Sequence, residues 1–259
     1  MSRVIAVSNQ KGGVAKTTTS INLGVALARN GKKVLLVDAD PQGHLSTGLG
    51  IPKTIKTTLK TMLEYVIMEM EYDPYEAVIK NEEGVDIIPS NKLLSGTDIS
   101  LIAVEERECI LKKYLERLKP EYDYVIIDCM PSLGMLTVNA MAAADSVLIP
   151  IEPEYYALDG MVELLRVIKN TKRRYNPQIE IEGILFTKDP YWYNSSKEYK
   201  KAVQEAYGQH IKIFEKSIPR SNPIAKCPKD GVSIFTYDKN NPGAQGYDWL
   251  AKEVIKNDR

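Results

Sequence analysis

Two short, nearly unbroken apolar runs, Arg3–Ser8 (RVIAVS) and Lys33–Asp38 (KVLLVD), bracket a segment of small residues near the start of the chain. Runs of Val, Ile and Leu without polar alternation mark strands buried on both faces of a parallel sheet. Between them, Thr17–Asn30 sets Ile21, Leu23, Val25 and Leu27 among alanines, and Gly31 supplies a stop. Strand, loop, helix and strand within the first 38 residues make a βαβ unit. Such a unit joins parallel strands by a right-handed crossover, which excludes all-α and hairpin-built all-β folds.

The rest of the chain repeats the pattern. Buried strands are predicted at Val85–Pro89, Tyr124–Asp128, Ser146–Ile151 and Ile181–Phe186, with helices at Leu101–Leu118, Met135–Ala144 and Leu158–Tyr175. The Tyr-, Met- and Glu-rich stretch Lys53–Asn81 predicts one or two helices on the rim, and Gly243–Lys256 a closing helix. The alternation predicts an α/β fold with an open, mostly parallel, doubly wound sheet flanked by helices. Ligands of such sheets bind outside the carboxyl ends of the strands.

A chain of 259 residues with 44% hydrophobic content can bury one substantial core. No Gly-, Ser- or Pro-rich linker divides it, so residues 1–259 are expected to form one domain, with no helix-turn-helix domain ahead of it. The start lacks a secretory pattern, and no apolar run approaches the roughly 20 residues of a membrane span, which predicts a cytoplasmic protein. Cys109, Cys129 and Cys227 are odd in number and lack CxxC spacing, which argues against a disulfide framework and a zinc or iron–sulfur site. Net charge is zero, yet Gly160–Lys229 holds 14 Lys and Arg against 7 Asp and Glu. That local excess is either a solvated face or a footprint for polyanions.

The segment Gln10-Lys11-Gly12-Gly13-Val14-Ala15-Lys16-Thr17-Thr18 joins the first strand to the first helix. A glycine-containing loop lets backbone N–H groups approach phosphate oxygens, and the opening helix adds its positive end. In this arrangement Lys16 reaches the β- and γ-phosphates of ATP, or the β-phosphate of ADP, and the Thr17 hydroxyl binds Mg²⁺. Gln10 and Ala15 stand where the ordinary GxxxxGK[ST] loop has glycine, so the match is to the deviant form KGGxxK[ST], whose second lysine is Lys11. Ala15 is expected to enter the helix without a positive φ. The fold is accordingly P-loop NTPase-like.

NQKGGVAKTTTSINLGVALA followed by VLLVDADPQGHLSTGLG resembles the ParA and Soj family of partitioning ATPases, and the resemblance extends over nearly the whole chain. It implies an ATPase that dimerises on ATP, with Lys11 reaching the phosphates bound by the partner. It also implies that Asp40, in Asp38-Ala39-Asp40-Pro41-Gln42-Gly43, positions or activates the attacking water and joins Thr17 and Asp128 at the metal, with Asp38 supporting the same switch loop. Asp128 ends the strand YVIID and is expected near Mg²⁺ as a Walker B carboxylate. Here Asp128-Cys129-Met130-Pro131 replaces the family's Asp-x-Pro-Pro, which predicts a looser second switch loop. In Pro150–Gly160 (PIEPEYYALDG), Glu152 or Glu154 either approaches the partner's nucleotide or complements a helix start. Ile218-Pro219-Arg220-Ser221 matches a segment whose backbone lies near the adenine, which points to Pro219.

The resemblance further implies non-specific DNA as a partner, a ParB-type adaptor that stimulates hydrolysis, and a role in plasmid or chromosome partitioning. Candidate DNA contacts are Lys169, Lys172, Arg173 and Arg174; Lys197, Lys200 and Lys201; and Arg220, Lys226 and Lys229. Pro223 stands where close relatives carry an arginine, and Tyr191-Trp192-Tyr193 reads as core or a partner contact rather than a base-stacking site. A MinD-like ATPase positioning membrane or protein cargo is the alternative. The closing helix is short and mixed in charge, which predicts packing rather than membrane anchoring.

Overall fold

In a computed structural model, which describes residues 2–154, 159–190 and 194–257, the buried runs form one seven-stranded sheet. In chain order the strands are β1 (Arg3–Val7), β2 (Val34–Ala39), β3 (Ile79–Lys80), β4 (Asp86–Ile88), β5 (Tyr124–Cys129), β6 (Ser146–Ile151) and β7 (Glu180–Phe186). Their order across the sheet is β3-β4-β2-β5-β1-β6-β7. Every pairing is parallel except that of the short edge strand β3 with β4. The expected doubly wound sheet is therefore present.

Alternate residues of each central strand serve opposite layers. Ile5, Val7, Val34, Leu36 and Ile126 pack with the helices Lys16–Arg29 and Pro242–Asn257. Val4, Ala6, Leu35, Val37, Val125 and Ile127 pack with the helices Leu59–Ile67, Ile110–Glu116 and Met135–Ala143. A third cluster joins β6 and β7 to the helices Asp159–Arg174 and Asn194–Tyr207. With both faces covered, apolar residues are favoured at every position, so the strands show no polar alternation. The helix after β1 lies close on the sheet: a Cβ at Gly24 would stand 2.4 Å from Leu36 Cδ2.

Two expectations fail in detail. The predicted helix Leu101–Leu118 is broken: its first half is turn and 3-10 structure, and the helix begins only at Ile110. Glu106, at φ 52, takes a left-handed conformation that a continuous helix does not allow. Lys53–Asn81 holds one helix, Leu59–Ile67, opened by a Thr58–Thr61 capping box, and then the edge strand β3. The closing helix runs Pro242–Asn257 and buries Tyr247, Leu250, Ala251 and Val254.

Candidate functional site

The loop between β1 and its helix sits at the carboxyl end of the sheet, beside the ends of β2 and β5. Sheet register sets the acidic groups: Asp128 lies opposite Val7 on one side and Asp38 on the other. No sequence spacing states that adjacency, since 90 residues separate the two carboxylates. The loop itself is clamped from within, because Asn9 accepts from Lys11 N–H at 2.9 Å and donates to the Pro150 carbonyl at 2.9 Å.

The two lysines of the loop are placed differently. Lys16 is 7% exposed and its ammonium donates to the Lys11 carbonyl at 3.0 Å, inside the curl of the loop. Burial pulls its pKa below the ordinary lysine value, and Asp128 is the largest opposing influence. Lys11 points outward and its ammonium pairs with Glu154 of the same chain, in a partly exposed contact. Among the described residues no side chain caps the helix that begins at Lys16, which leaves its first N–H groups open to an anion.

Asp128 is fully buried; it accepts from Ser20 Oγ at 2.9 Å and lies against the Thr17 hydroxyl, while its Oδ2 has no hydrogen-bond partner among the described residues. An orphaned, buried carboxylate oxygen beside a threonine hydroxyl suits a hard divalent cation. The described residues hold no cluster of three or more His, Cys, Asp or Glu side chains. These residues fit a Mg²⁺ that keeps most of its ligands from phosphate oxygens and water. Asp40 is 7% exposed; its carboxylate accepts from Gln42 N–H at 2.8 Å, and its own N–H donates to Asp38 at 3.2 Å. Asp38 is anchored by the Ser46 N–H at 2.8 Å and hydroxyl at 2.6 Å.

Burial, and then the charge of Asp38, pushes Asp128 up to about 8, while burial pushes Asp38 up to about 6. Both rise from 3.8, so between those values the folded chain binds more protons than the unfolded chain. Stability then falls as pH rises through this window. The nucleotide-free chain is expected to melt higher near pH 6 than near pH 8, by at most about 1.4 kcal/mol per pH unit for each group. Thermal unfolding across that range checks the slope; a flat or opposite trend would mean that both carboxyls are ionised in the folded state.

Ala15 contradicts the sequence expectation. It adopts φ 64 and ψ 33, the left-handed region, immediately before the helix. The loop turns there to aim its N–H groups inward, and a Cβ makes that turn costly. Ala15→Gly is expected to stabilise the chain by about 1 kcal/mol, raising Tm by roughly 2–4 °C. Thermal unfolding reads this directly, and an unchanged or lower Tm would mean that the loop relaxes around alanine without strain.

Comparison with known proteins matches this arrangement. A family model described as AAA domain matches residues 2–181. The chromosome partitioning protein ParA of Caulobacter vibrioides is 42% identical, over 99% of this chain and 95% of that protein. The sporulation initiation inhibitor protein Soj of Bacillus subtilis is 42% identical, over 99% of this chain and its entire length. The chain belongs to the ParA/Soj family of ATPases. Among solved structures, a cobyrinic acid a,c-diamide synthase from Mycobacterium smegmatis with bound ADP and magnesium superposes with TM-score 0.87 at 34% identity, covering 99% of this chain and 95% of the other.

On this family frame, several residues passed over in the sequence reading come to the loop. Thr187, at the end of β7, donates its hydroxyl to the Val14 carbonyl at 3.0 Å. Lys188 takes φ 49, places its ammonium 4.0 Å from where a Cβ on Gly13 would lie, and sits 3.7 Å from Glu152. A lone lysine after a strand carries no motif, so nothing in the sequence marked it. Pro219 pairs with Asp189 in an isolated bridge, so the Ile218–Arg220 segment runs alongside the end of β7.

The basic cluster divides. Lys200 is tied to the buried Asp189, which also accepts from Ser196 and Ser217, so this lysine is a structural strut rather than a free cation. Lys172 pairs with Glu180 at 2.6 Å and Lys201 with Glu205 at 3.7 Å. Lys169, Arg173, Arg174, Lys197, Arg220, Lys226 and Lys229 are exposed. Tyr191-Trp192-Tyr193 and residues 155–158 lie outside the described residues. No described helix is long and apolar enough to cross a membrane.

Proposed function

We propose that this chain, as a single ATPase domain, binds ATP, dimerises on it, binds DNA without sequence preference in that state, and partitions a chromosome or plasmid. The observation that carries the reading is the division of labour between two lysines of one loop. Lys16 is enclosed within its own loop, while Lys11 faces outward, where a second protomer would meet it.

In this mechanism Gly12, Gly13, Val14, Ala15, Lys16, Thr17 and Thr18 hold the phosphates through backbone N–H groups and the Lys16 ammonium. Thr17, Asp40 and Asp128 would hold the metal. Bound Mg²⁺ supplies charge neutralisation at the β- and γ-phosphates. Asp40 orients the attacking water and accepts its proton, and Pro219 borders the adenine. Lys11 enters the partner's site in trans, as an arginine finger does. A cation supplied by the partner ties dimerisation to the triphosphate.

The dimer would then offer DNA two sets of exposed cations, from Lys169, Arg173 and Arg174 and from Lys226 and Lys229. A ParB-type adaptor would stimulate hydrolysis and release the dimer from the nucleoid. The alternative MinD-like reading is disfavoured because the apolar face of the closing helix is spent on the core. The deciding assay is retention of random-sequence duplex DNA under ATP–Mg²⁺ and under ADP–Mg²⁺ at low salt. Retention with ATP alone, weakening as salt rises, is expected. Equal or absent retention in both states would remove DNA from the function and turn attention to membranes.

A further inference from the structure

We propose that the cleft beside the Asp40 loop is a docking site for an acidic segment of a partner protein carrying an apolar anchor residue, and that its occupancy sets the rate of hydrolysis. The cleft, of about 720 Å³, runs between Pro41-Gln42 on one side and two loop segments, Lys53–Lys56 and Ser90–Leu93, on the other. Three lysines line it: Lys53, Lys56 and Lys92 are all exposed, and none pairs with a carboxylate among the described residues. Pro41, Ile55 and Leu93 provide apolar wall, and Leu93 remains 57% exposed. Unpaired cations around an apolar cleft complement a carboxylate-bearing ligand with an apolar side chain.

The same walls lead to the catalytic loop. Ser90 lines the cleft at 2% exposure, and its hydroxyl has no hydrogen-bond partner among the described residues. Its N–H donates to Ser46 Oγ at 2.9 Å, the Ser46 hydroxyl donates to Asp38 at 2.6 Å, and Asp38 accepts from the Asp40 N–H at 3.2 Å. The contact is tight as well as bonded: a Cβ at Gly43 would lie 2.8 Å from the Ser90 carbonyl oxygen. A ligand that shifts Ser90 or Pro41 must therefore shift the loop that presents Asp40.

Duplex DNA is the less suitable occupant. Its affinity comes from phosphates tracking a basic surface, and the duplex is too wide to enter a pocket of this volume. A peptide side chain fits such a pocket.

The test is to pan a phage-displayed random dodecapeptide library on the full chain with ATP–Mg²⁺. The counter-selecting variant is Lys53→Glu/Lys56→Glu/Lys92→Glu, with Lys53→Gln/Lys56→Gln/Lys92→Gln as the milder form should the first fail to bind nucleotide. Selected peptides are expected to combine Asp or Glu with an aliphatic or aromatic residue. A synthetic copy should lose at least about tenfold in affinity on the variant and change turnover of the unmodified chain at least about threefold. Basic selected peptides, peptides that bind both forms equally, or no selection at all would overturn the site. Loss of duplex DNA retention in the variant without peptide selection would assign the cleft to nucleic acid and overturn it as well. The turnover arm rests on the proposed ATPase cycle and the binding arm does not: binding without a change in turnover overturns the coupling alone, and turnover absent without peptide points instead to the ATPase reading.

Discussion

Asp40→Ala should bind ATP and form a dimer that persists, while hydrolysis falls by at least about 100-fold. The side chain is buried at the end of β2, on the loop that faces the phosphate-binding turn. It makes no ion pair among the described residues, so its removal deletes the carboxylate proposed to orient the water without unpairing a cation. What it does lose is the cap on Gln42 N–H, a partly buried bond worth about 1 kcal/mol, which leaves the fold intact. Asp40→Asn keeps that acceptor but cannot take a proton, and should match alanine in rate. Phosphate release measured beside light scattering separates the two outcomes. Normal turnover by either variant would remove Asp40 from the chemistry.

Lys11→Ala should retain ATP within about threefold but lose ATP-dependent dimerisation by at least about 100-fold, equivalent to roughly 2.8 kcal/mol. Its ammonium is engaged by Glu154, while the main chain of Lys11 shapes the loop. In the proposed dimer, withdrawing it would leave the partner's phosphates short of a charge in a desolvated interface, where a missing partner is costly. Glu154→Gln should move the other way, because it frees the amine for the proposed trans contact. The pair is partly exposed and so worth about 1 kcal/mol or less, and the shift in the ATP concentration for dimerisation should be only severalfold. Sedimentation velocity across an ATP titration checks both. ATP dimers of Lys11→Ala at unmodified affinity would rule out a trans role for this residue.

The parts legible beforehand were those written in local pattern. Strands read as unbroken apolar runs because both sheet faces are covered, so β1, β2, β5 and β6 were found to within a residue at each end. The region around Leu101 misled because its apolar residues meet the core from turns, and periodicity does not register the left-handed Glu106 that breaks the helix. Ala15 misled for a related reason: its conformation is imposed by the loop around it, against the preference of an L-residue. Lys200 was indistinguishable from its neighbours until Asp189 was seen beneath it.

By itself the sequence determined the fold class and the glycine-containing loop between the first strand and the first helix, because both are written in consecutive residues. Only the tertiary structure decided which charges act together. Parallel pairing of β5 with β2 brings Asp128 beside Asp38, and the end of β6 delivers Glu154 to Lys11. These meetings depend on sheet order and register, which are fixed by packing three apolar clusters against the sheet, and no local spacing encodes them.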